Sequence, residues 1–293
     1  MFTIIGILVV VAAVVGGYLM ERGNLLVLLQ PAELLIIGGA AAGTLLIANP
    51  LPVVINVLKG VASPFRPSRF SKNSYLDMLK MLSELFQFAR KNGVVALEAH
   101  IEEPEKSDLF SKYPDFIKHH HSLYFVCDTL RMSVSGGISP FELEQMMDLD
   151  IEVHHHEQNV PVAAMTTVAD SLPGLGIVAA VLGVVITMGA LGGPPEEIGQ
   201  KVAAALVGTF LGILLCYGFV GPLASFMAKV NDKEAQYYHC LRVGVIAFAK
   251  GNNPLMAAEF ARRAIPPDLR PSFREMETAC RGERAAPAAE AAA

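Results

Sequence analysis

Four long segments of this chain contain no Asp, Glu, Lys or Arg and are rich in aliphatic residues. A helix that crosses the bilayer core needs roughly 20 apolar residues, because each residue adds about 1.5 Å to a length that must reach about 30 Å. The sequence therefore predicts an all-α, polytopic membrane protein with a helical cytoplasmic domain. Its four transmembrane helices are predicted over Phe2–Met20, Leu34 to about Pro50, Leu172 to about Leu191, and Val202 to about Ala228.

The charge composition supports a membrane protein and excludes some other classes. Only 17% of the residues are charged, against roughly 25% in an average soluble domain. A net charge of −5 argues against nucleic acid as a partner, since binding to phosphates requires a basic face. The cysteines stand far apart with no CxxC spacing, which is typical of reduced thiols; they are Cys127, Cys216, Cys240 and Cys280.

Basic residues near the ends of the spans predict the orientation. Several follow the second and fourth spans, namely Lys59, Arg66, Arg69, Lys72, Lys229, Lys233 and Arg242. The two short connections on the other side carry only Arg22 and Lys201. The positive-inside rule places both termini in the cytoplasm. The first span lacks the basic start and small-residue cleavage site of a signal peptide, so we expect it to be retained.

The same pattern divides the chain into five parts. They are two transmembrane helices in residues 1–50, a cytoplasmic helical domain in 51–169, two further transmembrane helices in 170–228, cytoplasmic C-terminal helices in 229–284 and a disordered Ala/Pro/Glu-rich tail in 285–293. Residues Leu51–Val61 contain Pro52, Asn56 and Lys59 and are expected to lie at the interface as a continuation of the second span.

The central domain shows helical spacing of its apolar residues. Leucines and other apolar residues recur at this spacing in Tyr75–Lys91, and a second helix is predicted over about Asp115–Ser135. A third begins near Ser139, where Pro140 suits the first turn and Glu142 completes a capping box. It is expected to continue through Glu157 towards the third span.

The predicted spans lack an ionisable residue at mid-membrane. Glu21 and Glu33 flank the first connection and Asp170 precedes the third span, so all three are expected near an interface. Ion transport through hydrocarbon normally requires an intramembrane ionisable group. If this protein moves ions, a partner helix must bring that group. A nucleophile elbow and a phosphate-binding loop are also absent from the sequence, which argues against an enzyme.

Small residues and two prolines mark the spans. The small residues are Gly39 and Gly43 in the second span, Gly176, Ala180 and Gly183 in the third, and Gly208 and Gly212 in the fourth. They favour close helix packing, within this chain or between chains. Pro173 is expected in a first helical turn, where proline is tolerated. Pro222 is expected to kink or end the fourth span, as a boundary or as a hinge.

Several of these segments resemble the MotA family of flagellar stator subunits. The similar runs are Asp170–Val181, Val207–Leu215 with Tyr217–Phe219 and Pro222, Arg270–Phe273 and Arg90–Pro104. The resemblance covers nearly the whole chain, including its plan of two spans, a large loop and two further spans. The His triplets and the Ala-rich terminus lie outside it.

The resemblance implies a function and roles for six residues. It implies a homo-oligomer, a pentamer around a MotB dimer, in which the MotB-like helices carry a membrane aspartate and protons drive rotation. Pro173 and Pro222 would couple ion passage to movement, and Ala180 in place of threonine favours protons over sodium. Thr209 would help to line the ion route. The remaining two, Arg90 and Glu98, would contact the rotor protein FliG. The resemblance implies no cofactor.

Two other functions and one metal site compete with this interpretation. A TolQ or ExbB energiser would share the borrowed carboxylate but typically has three spans. A self-contained transporter would need an ionisable or strongly polar site within a span. The triplets His119–His121 and His154–His156 suggest a metal site, but adjacent residues point around a helix instead of converging.

Overall fold

The fold is all-α, as the sequence predicts. A computed structural model describes residues 2–65, 69–189, 192 and 194–281, and within those ranges every regular element is a helix. The predicted disordered tail, residues 285–293, lies outside the described part. Four helical segments are long and apolar enough to cross a membrane, which confirms the predicted number of spans.

Thirteen α-helices follow one another along the described chain. They are α1 Phe2–Met20, α2 Leu25–Leu28, α3 Pro31–Ala48, α4 Leu51–Val61, α5 Lys72–Asn92, α6 Glu98–Glu102, α7 Pro114–Ile117, α8 His120–Ser135, α9 Pro140–Met188, α10 Pro195–Leu214, α11 Gly221–Ala249, α12 Pro254–Ala264 and α13 Phe273–Arg281. A π-helical segment, Leu215–Val220, joins α10 to α11.

The chain forms two compact units. The membrane unit comprises Met1–Pro67 and Glu157–Asn231, and the polar unit comprises Ser68–His156 and Asp232–Ala293. Helices α9 and α11 each contribute residues to both units. The five-part division into membrane and cytoplasmic segments stays a prediction about the bilayer.

Small residues hold the third and fourth spans together in the membrane unit. A Cβ atom at Gly176 would lie 2.8 Å from the Gly208 carbonyl oxygen, and one at Gly212 would lie 2.6 Å from the Leu172 carbonyl oxygen. Backbones this close leave no room for a side chain. A Cβ atom at Gly39 or Gly43, in contrast, would meet nothing within 4 Å in the described chain. Packing within the chain therefore explains the small residues of the third and fourth spans but not those of the second.

The two prolines match their predictions differently. Pro173 does not lie in a first helical turn, because it is inside α9, a continuous helix of 49 residues that also contains Pro161. The interruption at Pro222 takes the form of the π-helical segment just before it, and the helical path continues. Proline lacks the N–H that would bond to the carbonyl of Gly218, so a local rearrangement of backbone hydrogen bonds is expected there.

The polar unit has the core of a soluble helical domain. Helix α5 packs against α12 and α13, and its buried face carries Leu79, Leu82 and Phe86. The rings of Phe86 and Phe248 stack with their centroids 4.3 Å apart. Helix α5 starts with a capping box between Ser71 and Ser74, and it extends slightly beyond the predicted Tyr75–Lys91.

Two predictions for the central helices have different outcomes. The predicted helix over Asp115–Ser135 is wrong as a single element, because α7 ends at Ile117 and α8 starts at His120. The predicted start of the next helix is confirmed. The backbone N–H of Ser139 donates to Glu142 Oε2 over 2.9 Å, and the N–H of Glu142 donates to Ser139 Oγ over 3.2 Å.

Ion pairs connect α9 and α11 within the polar unit. Arg242 lies 2.6 Å from Asp148 and 3.2 Å from Glu144, and Lys250 lies 2.9 Å from the same Glu144. The hydrogen bond from Lys250 and the charge of Arg242 hold the pKa of Glu144 below its usual range. The Arg242 side chain is only 13% exposed, so its loss would leave two carboxylates without their shared cation.

Candidate functional site

The third and fourth spans meet at two of the predicted ion-coupling positions. A Cβ atom at Gly208 would lie 3.1 Å from Ala179 Cβ and 3.2 Å from the backbone nitrogen of Ala180. Gly208 immediately precedes Thr209, which is partly buried, as is Ala180. The structure therefore brings the backbones at Ala180 and Gly208–Thr209 together. The helices are close here because neither Gly208 nor the two alanines carries a large side chain.

A carboxyl group lies at the same place. Glu33 in the first turn of α3 is 7% exposed, although the sequence predicts it at an interface. Its Oε2 lies 2.7 Å from where a Cβ atom of Gly208 would be. This oxygen has no hydrogen-bond partner in the described protein. Glu33 therefore follows the first connection, as the sequence predicts, but its carboxyl group is buried beside the predicted ion-coupling positions Ala180 and Thr209.

The contact of this carboxyl group with Gly208 lies well away from the end of the third span. Ala180 lies eight residues before the end of α9 at Met188 (188 − 180 = 8), which is roughly 12 Å along the helix axis at 1.5 Å per residue. The connection before α3 contains the short helix α2, which packs against α10.

The two prolines of the predicted coupling site flank the same helix pair. Pro173 is partly buried, and the carbonyl of the preceding Leu172 approaches Gly212 of α10. Pro222 is exposed on α11. Leu172, next to Pro173, shares one buried cluster with Cys216 of the π-helical segment. The structure describes no direct contact between Pro173 and Pro222.

The predicted rotor-facing charges lie at the surface of the polar unit. Arg90 is in the last turn of α5, and Glu98 is the first residue of α6. Both side chains are exposed. Gly93, with φ of +90°, ends α5 between them. A cavity of about 350 Å³ opens beside Arg90 and is lined by parts of α5, α8 and α11, including Leu130 and Phe248, and by Val94 in the turn after α5.

The two His triplets contact each other in the polar unit, which the sequence pattern does not reveal. The rings of His121 and His154 stack with centroids 3.7 Å apart. His154 Nε2 lies 3.4 Å from Glu234 Oε1, which also accepts a hydrogen bond from the Tyr238 hydroxyl. Although burial of Glu234 acts in the opposite direction, the hydrogen bond from His154 holds the pKa of its carboxyl below the usual range.

Metal and thiol chemistry find little support in the described residues. Groups of three or more His, Cys, Asp or Glu side chains placed to hold a metal ion are not found among them. All four cysteines are free and buried. Burial raises the pKa of the Cys127 and Cys240 thiols to about 12, so both remain protonated at neutral pH and are poor nucleophiles.

Glu33 is the functional candidate that the sequence pattern alone does not identify. A weak signal was available, because Pro31-Ala32-Glu33 directly precedes an apolar run and proline with an acidic residue is typical of a first helical turn. What the sequence lacks is the contact of that turn with Gly208 of α10, which is a tertiary contact.

Comparisons with known proteins agree with this architecture. The family model "Motility protein A N-terminal" matches residues 4–93, and the model "MotA/TolQ/ExbB proton channel family" matches residues 118–239. The chain is 40% identical to motility protein A of Salmonella typhimurium over 97% of its length and 96% of the relative. It is 41% identical to motility protein A of Escherichia coli over 94% of each chain.

A solved structure supports the fold independently. The chain superposes on a chain of the structure titled "Structure of C. jejuni MotAB" with a TM-score of 0.74, covering 91% of this chain and 96% of that one at 20% identity. Identity that low supports the fold alone. The two relatives that are 40% and 41% identical over nearly the whole length show the family as well as the fold. The chain belongs to the motility protein A branch of the MotA/TolQ/ExbB proton channel family.

Proposed function

We propose that this chain is the stator subunit of a bacterial flagellar motor, which together with a MotB-like partner forms a proton channel and converts proton flow into torque. The observation that carries the proposal is the 40% identity with motility protein A over 97% of the chain. The four apolar spans agree with it, whereas a TolQ or ExbB energiser would typically have three.

The partner supplies the membrane aspartate on which coupling depends. Several copies of this chain, a pentamer in our proposal, surround two partner helices. Protonation removes a charge whose burial in hydrocarbon costs a few kcal/mol. Each protonation therefore changes the subunit face that the partner helix prefers, and repetition around the ring biases rotation. The unfilled small-residue face at Gly39 and Gly43 is available for contacts between chains.

The ion route passes the packed pair of the third and fourth spans. Ala180 carries a methyl group at a position where sodium-driven members of the resembled family have the hydroxyl of threonine. The alanine therefore supports protons as the transported ion. Thr209 adjoins the close approach at Gly208 and contributes the hydroxyl of this region. Pro173 lies in α9 and Pro222 lies in α11, which continues from the fourth span, and both prolines allow these helices to change shape between protonation states.

Torque reaches the rotor through Arg90 and Glu98. Both are exposed charges of opposite sign on consecutive helices of the polar unit. Complementary charges on FliG would set the register and specificity of the contact more than its strength. The proposed orientation puts the polar unit and both termini in the cytoplasm, where the rotor is accessible.

The test is proton uptake by liposomes that contain this chain with or without its MotB-like partner. We expect rapid uptake only when both are present and the partner keeps its aspartate. A partner with that aspartate changed to asparagine is the matched control. Proton uptake by this chain alone would contradict the proposal, and so would unchanged uptake with the asparagine partner.

A further inference from the structure

The Glu33 carboxyl group is unusual among the acidic side chains of the described chain. Among the described residues it is the one charged side chain that is buried, with 7% of its surface exposed. The acidic side chains of the polar unit that are partly buried, such as Glu144 and Glu259, form ion pairs. Glu33 Oε2 has no hydrogen-bond partner, so its position is not explained by an ion pair or by a helix cap made through that oxygen.

An ionised carboxylate without a partner is costly in apolar surroundings, whereas a neutral carboxyl group costs much less. A side chain kept in such a place without a compensating contact therefore needs an explanation. The buried Ile37 lies one helical turn further along α3, and the buried Ala179 of α9 lies beside the same Gly208 position as the Glu33 carboxyl group. A leucine or methionine would satisfy packing alone.

The position of the unpaired oxygen supplies the explanation. It points to Gly208, and Ala180 and Thr209 of the proposed ion route are immediate neighbours of that contact. Gly208 leaves the space that the carboxyl group occupies, because a methyl group there would lie 2.7 Å from Glu33 Oε2. In the proposed orientation, Glu33 belongs to the connection on the outer side of the membrane, the side from which protons enter.

We propose that Glu33 is a second proton-binding residue of the channel, which takes a proton from the outer side and passes it towards the carboxylate of the partner helix. In the first step a carboxylate oxygen of Glu33 binds a proton and becomes the neutral acid. In the second step the O–H bond breaks, the proton moves to the partner carboxylate through intervening water, and Glu33 regains its charge. This inference rests on the proposed function and names an additional group in the same route.

The test compares Glu33→Gln and Glu33→Asp in the complete complex with the MotB-like partner. Glutamine keeps the size and polarity of the side chain but cannot carry a proton, whereas aspartate can. Glu21→Gln is the matched control, since Glu21 is an exposed acidic residue in the same connection. Proton uptake is measured in liposomes with an internal pH dye across a range of external pH.

We expect Glu33→Gln to slow proton uptake about tenfold or more, because the proton then has no carboxylate to bind on its way to the partner helix. Glu33→Asp should retain most of the uptake with a changed pH dependence, and Glu21→Gln should match the unchanged complex. In infrared difference spectra between low and high pH, the carbonyl band of a protonated carboxylic acid should be lost in Glu33→Gln but not in Glu21→Gln.

Unchanged uptake in Glu33→Gln would overturn the inference. If that variant fails to assemble, Glu33→Asp decides, and uptake with an unchanged pH dependence would again overturn the inference. Sodium uptake that depends on Glu33 would identify a metal cation in place of the proton and would also contradict it. If the unchanged complex takes up no protons, the proposed function fails, and this outcome is distinct from a failure confined to Glu33.

Discussion

The membrane unit and the polar unit are both helical, yet their helices are held together differently. In the membrane unit, backbone atoms of α9 and α10 touch across Gly176, Gly208 and Gly212. In the polar unit, large side chains fill the interior, and ion pairs such as that of Arg242 with Asp148 connect the helices. Lipid provides no hydrophobic driving force between spans, so close backbone approach replaces burial there.

This difference shows in which unit a charged residue indicates a function. Exposed charges are ordinary on the polar unit, so Arg90 and Glu98 do not stand out among their neighbours by geometry. In the membrane unit a single buried carboxyl group, that of Glu33, is conspicuous. The same reasoning predicts that larger side chains destabilise the membrane unit most. Changes of charge should have smaller effects in the polar unit.

The largest effect is expected from added volume in the membrane unit. Gly212→Val should abolish correct folding, because its Cβ atom would lie 2.6 Å from the Leu172 carbonyl oxygen and overpacking costs about 1–3 kcal/mol or more. Gly39→Val is the matched control, since its Cβ atom meets nothing within 4 Å in the chain. Membrane abundance and thermal unfolding of the chain without its partner are measured. Equal stability of the two variants would contradict the claim that close backbone packing of α9 and α10 holds the membrane unit together.

The next effect concerns the π-helical segment before Pro222. Pro222→Ala restores a backbone N–H and can stabilise a regular helix by up to about 3 kcal/mol. If the bend must change during coupling, motor speed should fall to about one-tenth while insertion and partner binding stay near normal. Pro173→Ala should behave similarly. Speed in tethered cells is measured beside co-purification with the partner.

Normal speed in both proline variants would argue against a coupling role. Loss of the protein from the membrane would also argue against it, because it would make these prolines structural. Pro161→Ala is a control from the same long helix, since Pro161 also lies inside α9.

A smaller effect is expected from charge reversal on the polar unit. Arg90→Glu or Glu98→Lys should weaken contact with the rotor about fivefold, since one surface charge pair contributes roughly 1 kcal/mol or less. Lys91→Glu is the control, an exposed basic residue next to Arg90. Stall torque and membrane abundance are measured. The rotor-facing assignment is wrong if the reversals swim as well as Lys91→Glu, or if charge reversal on FliG restores no motion.

The smallest effect is a pH dependence in the polar unit. Lys72 lies 2.7 Å from Glu275, and its hydrogen bond lowers the pKa of Glu275 to about 2. A depressed carboxyl pKa stabilises the folded state above the unfolded pKa of about 4.3, and this stabilisation is lost as pH falls towards 2. Because both side chains are partly exposed, Lys72→Ala should cost only about 0.5 kcal/mol at pH 7.

That difference should shrink progressively as pH falls from about 4 towards 2. Tyrosine circular dichroism during urea unfolding reports it, because most of the tyrosines belong to the polar unit, namely Tyr75, Tyr113, Tyr124, Tyr237 and Tyr238. A Lys72→Ala effect that stays constant from pH 7 to pH 2 would show that the ion pair with Glu275 is not its cause.

The spans and the capped start of α9 were predictable from the sequence, because hydrophobicity and capping are local properties. Ser139 and Glu142 make the predicted contacts with each other. The positions of Pro173 and Glu33 were not predictable in the same way. Whether Pro173 opens a helix depends on the continuity of α9 through residues before it, and the burial of Glu33 beside Gly208 depends on contacts among separate helices.

The contact between His121 and His154 shows the same limit. The two residues are 33 positions apart (154 − 121 = 33) and lie on α8 and α9. Periodicity along one helix cannot indicate which face of a second helix it meets. Long-range contacts of this kind determine which residues form the candidate sites. Local sequence patterns determine the helices on which those residues lie.

The central claim is that this chain uses a proton gradient to turn a flagellar rotor. The most direct measurement is the rotation of tethered cells that carry only this stator gene and its partner, with the proton and sodium gradients collapsed separately. We predict that rotation stops when the proton gradient is removed and continues without a sodium gradient. Rotation that survives loss of the proton gradient, or stops when only the sodium gradient is lost, would contradict the account.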